Sequence, residues 1–170
     1  MPRTGYNFVL PHFIRRLRRA RGMTAEESEL LRLINGARIG QGGCAGGLSV
    51  DPRLVDVARA HSQDLAAHPG LWEKRNPQGY PGHYGSDGSL PSDRIASAVG
   101  SPGTENVLRI RIRGTAAPPT AETAFNEWMK SPPHKANLMN CNHRTTGVGI
   151  ATGQDPDGWT AYYFTQVFHP

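Results

Sequence analysis

From Thr24 onward the apolar positions fall into helical and alternating blocks. Leu30, Leu31, Leu33, Ile34 and Ala37 recur at helical spacing behind the capping box Thr24-x-x-Glu27, which predicts a helix ending in the glycine-rich stretch 40–46. Asp51-Pro52 opens a second helix, in which Leu54, Ala58, His61 and Leu65 recur at four, three and four. His61 lies on that buried stripe and reads as a packing or hydrogen-bonding residue. A Pro/Gly-rich segment over 69–89 follows, then a short helix around 92–99 closed by Gly100. Leu108, Ile110 and Ile112 alternate with Arg109, Arg111 and Arg113, the pattern of a strand with one apolar face and one basic, solvated face. Thr120 begins a helix whose stripe of Ala121, Ala124, Phe125, Trp128 and Met129 reads as core. Ser131 as N-cap and Pro132 at the first helical position start another. Strands are predicted over 146–152 and 159–168, joined by the turn residues Gln154-Asp155-Pro156-Asp157-Gly158. Helices on both faces of a small antiparallel sheet give an α+β fold, a three-layer α-β-α sandwich.

Length and charge refine this picture. A chain of 170 residues is in the range of one domain. A mean hydropathy of −0.51, with no run of about 18 apolar residues, excludes a spanning helix. Six of the 19 basic residues (Arg3, Arg15, Arg16, Arg18, Arg19 and Arg21) lie in residues 1–25, which hold no acidic side chain; the remaining 13 face 14 acidic ones. The positive excess is therefore a property of a basic arm, residues 1–23, and not of the domain 24–170. The pI of about 9.6 gives no argument for specific nucleic-acid binding by the folded domain. The arm suits an anionic membrane surface, an acidic partner, a larger assembly or simply solvent. Pro11, His12 and the arginines interrupt its apolar residues, so it lacks the stretch of about 7–15 that a secretory leader requires.

Candidate chemistry is sparse but specific. His134 sits three residues past Ser131, in the first turn of its helix beside unpaired backbone donors, which favours a neutral imidazole. His83 lies in the turn-rich Gly82-His83-Tyr84-Gly85-Ser86-Asp87-Gly88, and Glu105 in Thr104-Glu105-Asn106-Val107. Gly-x-Ser-x-Gly, His-Glu-x-x-His and Walker motifs do not occur, and the loop 40–46 follows a helix where a phosphate loop follows a strand. The two cysteines, Cys44 and Cys141, lack zinc-finger spacing.

Taken with Trp128-Met129-Lys130-Ser131-Pro132-Pro133-His134-Lys135-Ala136-Asn137-Leu138, with Thr146-Gly147-Val148-Gly149 and with Tyr163-Phe164-Thr165-Gln166-Val167-Phe168, these segments resemble the bacterial branch of the CAP superfamily over about residues 26–170. That superfamily comprises the cysteine-rich secretory, antigen 5 and pathogenesis-related proteins. The resemblance implies the three-layer sandwich, an extracellular setting and a polar cleft gathering His83, Glu105 and His134, with Ser131, Tyr163 and Gln166 as further cavity residues. Thr104, Pro133 and Lys135 depart from the family pattern. Ser131 and Tyr163 stand where animal and plant members carry a second glutamate and a second histidine, so the four-residue cavity of those relatives is not carried over whole. The position of Cys141 and the extracellular resemblance favour a Cys44–Cys141 disulfide, with two buried thiols as the alternative.

The function implied is a binding or recognition module for a lipid, another small ligand or a partner surface. His83 and His134 could hold a divalent ion, zinc or magnesium, beside Glu105. Two alternatives stand beside it: a metal-assisted hydrolase with Glu105 as general base and a histidine as proton donor, and a structural component of a larger assembly such as a virion, docked by the basic arm. Release by lysis, carriage in a virion or an altered start would each reconcile a disulfide with the missing leader.

Overall fold

The computed structural model describes residues 22–170. The docking role expected for the basic arm falls on residues that lie, apart from the last two, outside the described residues.

The described chain runs α1 (Ala25–Gly40), β1 (Ser49–Val50), α2 (Pro52–Ala67), a 3-10 turn (Pro69–Glu73), α3 (Pro91–Val99), β2 (Thr104–Ile112), α4 (Ala121–Lys130), α5 (Pro132–Met139), β3 (Thr145–Gln154) and β4 (Thr160–His169). The capping box forms as predicted: Glu27 N–H donates to Thr24 Oγ1 at 3.2 Å, and Thr24 N–H to Glu27 Oε2 at 2.8 Å. Asp51 caps α2 through Arg53 N–H at 2.9 Å. Ser131 holds the N-cap position of α5, but its side chain makes no capping bond; the serine contributes its carbonyl, which accepts from Lys135 N–H at 2.9 Å.

Strand order in the sheet is β1-β3-β4-β2. The long strands pair antiparallel, as expected, but β1 pairs parallel to β3, so the sheet is mixed. The chain reaches the open edge of β3 travelling in the same direction, and two bonds, Ser49 N–H to Arg144 C=O and Asp51 N–H to Thr146 C=O, hold it there before Asp51 turns it into α2.

Alternation along β4 builds the three layers. Phe164 and Phe168 face the layer of α1, α4 and α5, where they join Leu30, Leu31, Ile34, Ala124, Trp128 and Leu138. Ala161, Tyr163 and Val167 face the other way, towards α2, α3 and the 3-10 turn, among Leu54, Ala58, Leu65, Leu71 and Ile95. Helix α2 lies directly on β3. A Cβ at Gly147 would sit 2.0 Å from the Leu54 carbonyl carbon, and one at Gly149 would sit 2.3 Å from Arg59 N, so this close approach requires glycine.

The basic face of β2 is not simply solvated. Arg109 lies 4.9 Å over the Trp72 ring and 3.2 Å from Glu73; Arg111 pairs with Asp155 at 2.6 Å and with Asp157, and lies 5.1 Å over Trp159. Acidic and aromatic side chains from two connections converge on the strand, a long-range arrangement that local alternation does not reveal.

Cys44 and Cys141 form the disulfide, with Cα atoms 5.3 Å apart. Beside it, buried Arg38 donates to the carbonyls of Leu138 at 2.5 Å, Asn140 at 3.1 Å and His143 at 3.1 Å. A cation on the last carbonyls of α5 complements its dipole. The disulfide and Arg38 together fix the C-terminal end of the helix that carries His134.

Candidate functional site

Strand β2 is an edge strand, and its consecutive residues face opposite layers. Glu105 pairs in register with Val167 and faces α2 and α3; Asn106 pairs with Gln166 and faces α5. One short strand segment thus contributes to both sides of a cleft at the sheet edge.

On the first side, Glu105 is buried with its carboxylate fully engaged. Its Oε1 accepts from His83 Nδ1 at 2.9 Å, and its Oε2 accepts from Arg94 Nη2 at 2.8 Å. An ionised carboxylate only accepts, so the His83 proton is on Nδ1, and Nε2 takes no protein hydrogen bond among the described residues. Arg94 also donates to the carbonyls of Ser89 at 2.9 Å and His83 at 3.2 Å, tying the 82–90 segment to the strand. His61 completes the cluster from α2: its Nε2 donates to Gly82 C=O at 2.8 Å and lies 3.7 Å from Glu105 Oε1.

On the second side, Asn106 and Asn137 lock α5 to the strand. Asn106 Nδ2 donates to His134 C=O at 3.0 Å, and Asn137 Nδ2 donates to Asn106 Oδ1 at 2.9 Å and Glu105 C=O at 3.4 Å. Between the two sides lies a cavity of about 410 Å³, which His83, Glu105 and His134 line together with Asn76, Gln78 and Asn137. Tyr80, 46% exposed, stands at its rim.

The other three expected cavity residues lie elsewhere. Alternation along β4 directs Tyr163 into the α2 layer, against Leu65 and Leu71 with its ring 6.2 Å from Trp72. Gln166 is buried within the sheet and donates to Thr146 Oγ1 at 3.1 Å. Ser131 ends α4 a full turn before His134 and does not line the cavity.

The cysteine-rich secretory protein (CAP) family model matches residues 31–168, which include every residue of this cleft. The chain belongs to the CAP family. Solved structures with the same fold include an outer surface protein of Borrelia burgdorferi, at 20% identity and a TM-score of 0.54, covering 86% of this chain and 95% of that one. An extracellular SCP-domain protein of Bacillus anthracis matches at 19% identity and a TM-score of 0.53, over 82% of this chain but 39% of the larger protein. MpPR-1i matches at 16% and 0.52, over 88% and 91%. No curated protein matches in sequence. CAP proteins are generally extracellular, and the disulfide agrees with an oxidising setting.

Within this CAP domain a divalent ion would have to be held by the imidazoles of His83 and His134, because Glu105 is already engaged. Both oxygens of Glu105 are taken, one by a guanidinium, and among the described residues no group of three or more His, Cys, Asp or Glu side chains is placed to hold a metal. Burial alone would raise the Glu105 pKa, but the neighbouring His61, the hydrogen bond from His83 and the Arg94 charge bring it below the ordinary carboxylate value. Burial lowers His61. His134 is lowered to about 4, by burial first and by His83 second.

The His134 shift sets a pH dependence. Between pH 6.5 and about 4 the unfolded chain protonates this imidazole while the folded chain keeps it neutral, so stability present above pH 6.5 is lost progressively as pH falls to about 4. Urea denaturation of His134→Gln across that window is expected to show a shallower decline than the parent. An unchanged slope would place the acid sensitivity in other groups, with His61 and His143, both also lowered, the first to test.

Proposed function

We propose that this CAP domain is a binding module whose cleft takes a neutral, hydrogen-bonding ligand. One observation carries the proposal: among the described residues the charged groups at the cleft floor, Glu105 and Arg94, neutralise each other, and the remaining lining holds no Asp, Glu, Lys or Arg. Asn76, Gln78, Ser92, Thr104 and Asn137 offer amides and hydroxyls, while Pro77, Pro91, Pro133 and Tyr80 supply apolar surface beside them. Such a mixture suits a saccharide or a capped peptide segment, and a pocket of this size is in the small-molecule range. A sterol or acyl chain is less well matched, because it would cover those amides without pairing them.

The hydrolytic reading has weaker support. A general base works best with a pKa near the operating pH and a free lone pair within reach of the water it activates. Glu105 is lowered, buried and already bonded at both oxygens.

Tyr80 and Gln78 are exposed lining residues outside the charge network, so they report on binding without disturbing the floor. A thermal-shift panel of neutral oligosaccharides and capped dipeptides, each with a charged analogue, tests the proposal. A saturable rise in melting temperature is expected from a neutral class, with affinity at least about tenfold weaker in Tyr80→Ala, the order of one good contact. Stabilisation by charged analogues alone, or indifference to both Tyr80→Ala and Gln78→Ala, would contradict it.

A further inference from the structure

We infer that the outer edge of β2 over residues 107–111 is a docking strip for an extended segment of another protein, one whose side chains alternate acidic and apolar. The strip lies outside the cleft, so the inference stands whatever ligand the cleft takes. The sheet itself gives the direction of the backbone groups. Asp155 N–H donates to Trp159 C=O at 2.8 Å, in step with the β3–β4 register, so β4 turns the backbone of its odd residues to β3 and of its even residues to β2. On β2 the even residues therefore complete the ladder, and the odd ones point away from it. The carbonyl of Glu105 agrees, since Asn137 reaches it from α5 at 3.4 Å. Past that point, among the described residues, nothing bonds the outward N–H and C=O groups of Val107, Arg109 and Arg111.

An open edge of this kind pairs with an extended chain, and the side chains on its two faces select which one. The odd positions carry Arg109 and Arg111, with Arg113 just beyond the strand, and the even ones carry Leu108, Ile110 and Ile112, all partly exposed. An added strand continues both faces, so its residues beside the arginines are acidic and the alternate ones apolar. The protein already shows the match. Glu73 and Asp157 pair with Arg109 and Arg111 through side chains 72% and 56% exposed, surface pairs that an incoming carboxylate can replace. Arg113 lies 5.8 Å over the Trp159 ring and has no carboxylate partner among the described residues. Charge disfavours both occupants that this chain could supply. A second copy of β2, paired antiparallel, would set arginine beside arginine, and the arm holds six arginines and no acidic side chain.

The probe is an acetylated and amidated heptapeptide that alternates glutamate with valine; its controls carry glutamine or lysine in place of glutamate. Added to the full chain, the glutamate peptide is expected to bind saturably and to slow amide exchange at Val107, Arg109 and Arg111 by about tenfold or more, leaving His134 and Asn137 unchanged. The lysine peptide is expected to bind at least about tenfold more weakly. Two variants separate charge from backbone. Arg109→Gln removes one charge and keeps the outward N–H, whereas Arg109→Pro removes both and leaves the β2–β4 ladder intact, because that N–H bonds nothing in the protein. The proline variant is expected to lose about tenfold more affinity than the glutamine variant. Should proline unfold the strand, the exchange pattern of the parent decides alone. Equal affinity for the glutamate and lysine peptides, protection centred away from 107–111, or equal losses in two folded variants would overturn the inference. So would failure of all three peptides, which would leave the arginines only as a guard against pairing, and self-association that protects the same amides, which would make a second copy the occupant.

Discussion

Replacing both Cys44 and Cys141 by serine is expected to destabilise the domain by about 4 to 5 kcal/mol, from the entropy that a link spanning 97 residues removes from the unfolded chain. The loss is expected to be global and not to distort the cleft. Cys141 lies two residues beyond α5, and α5 carries His134 and Asn137. Arg38 still holds the carbonyls of Leu138 and Asn140 in the variant, so the helix end is expected to remain in place in the folded state. Urea denaturation of the double-serine variant against the oxidised parent measures the difference. A change below about 1 kcal/mol would mean that the unfolded state is already restricted, against the entropy argument.

Gly149→Ala is expected to be nearly as damaging, with a loss of about 3 kcal/mol or more. The added Cβ would meet Arg59 N at 2.3 Å, the Ala58 carbonyl carbon at 2.4 Å and Arg59 Cα at 2.5 Å. All three are backbone atoms of a packed helix, so no side chain can swing aside and α2 must lift from the sheet. His61 and the Arg59–Glu27 pair move with that helix, so the floor of the cleft is expected to loosen together with the core. A melting temperature within about 2 °C of the parent would show that α2 shifts at little cost, contrary to the close packing described.

Which parts of this structure were legible in the sequence follows from the range of the interactions. The capping box at Thr24, the Asp51 cap and the apolar stripes of α1, α2 and α4 are local patterns, and each gives the element it predicts. The alternation of Leu108, Ile110 and Ile112 identifies β2 but not its start, because Thr104-Glu105-Asn106 alternates by destination, one residue to each layer, without an apolar period. The two-residue β1 leaves no periodicity to read.

The candidate site was legible where a motif carried it. His83, Glu105 and His134 stand in three recognisable segments and share one cavity. Arg94 is one basic residue in a short polar helix, and only the fold shows it opposite Glu105. His61 gave a fainter signal: a polar ring on an otherwise apolar stripe needs a buried partner, and Gly82 C=O is that partner. Tyr163 and Gln166 do not line the cavity, because which alternate positions of a strand face a site is not a local property of its sequence. The resemblance supplied their positions along β4, but not their direction relative to the cleft.

The central claim is that the cleft between β2, α5 and the 76–92 segment is where this CAP domain binds. Backbone amide and histidine ring resonances, followed by NMR while the neutral ligand that gives the largest thermal shift is titrated in, test it most directly. The account predicts saturable changes concentrated at His83, Thr104, His134 and Asn137, with His61 responding through Gly82 and the disulfide corner at Cys44 silent. Changes centred on another surface, with His83 and His134 unmoved at saturation, would contradict it.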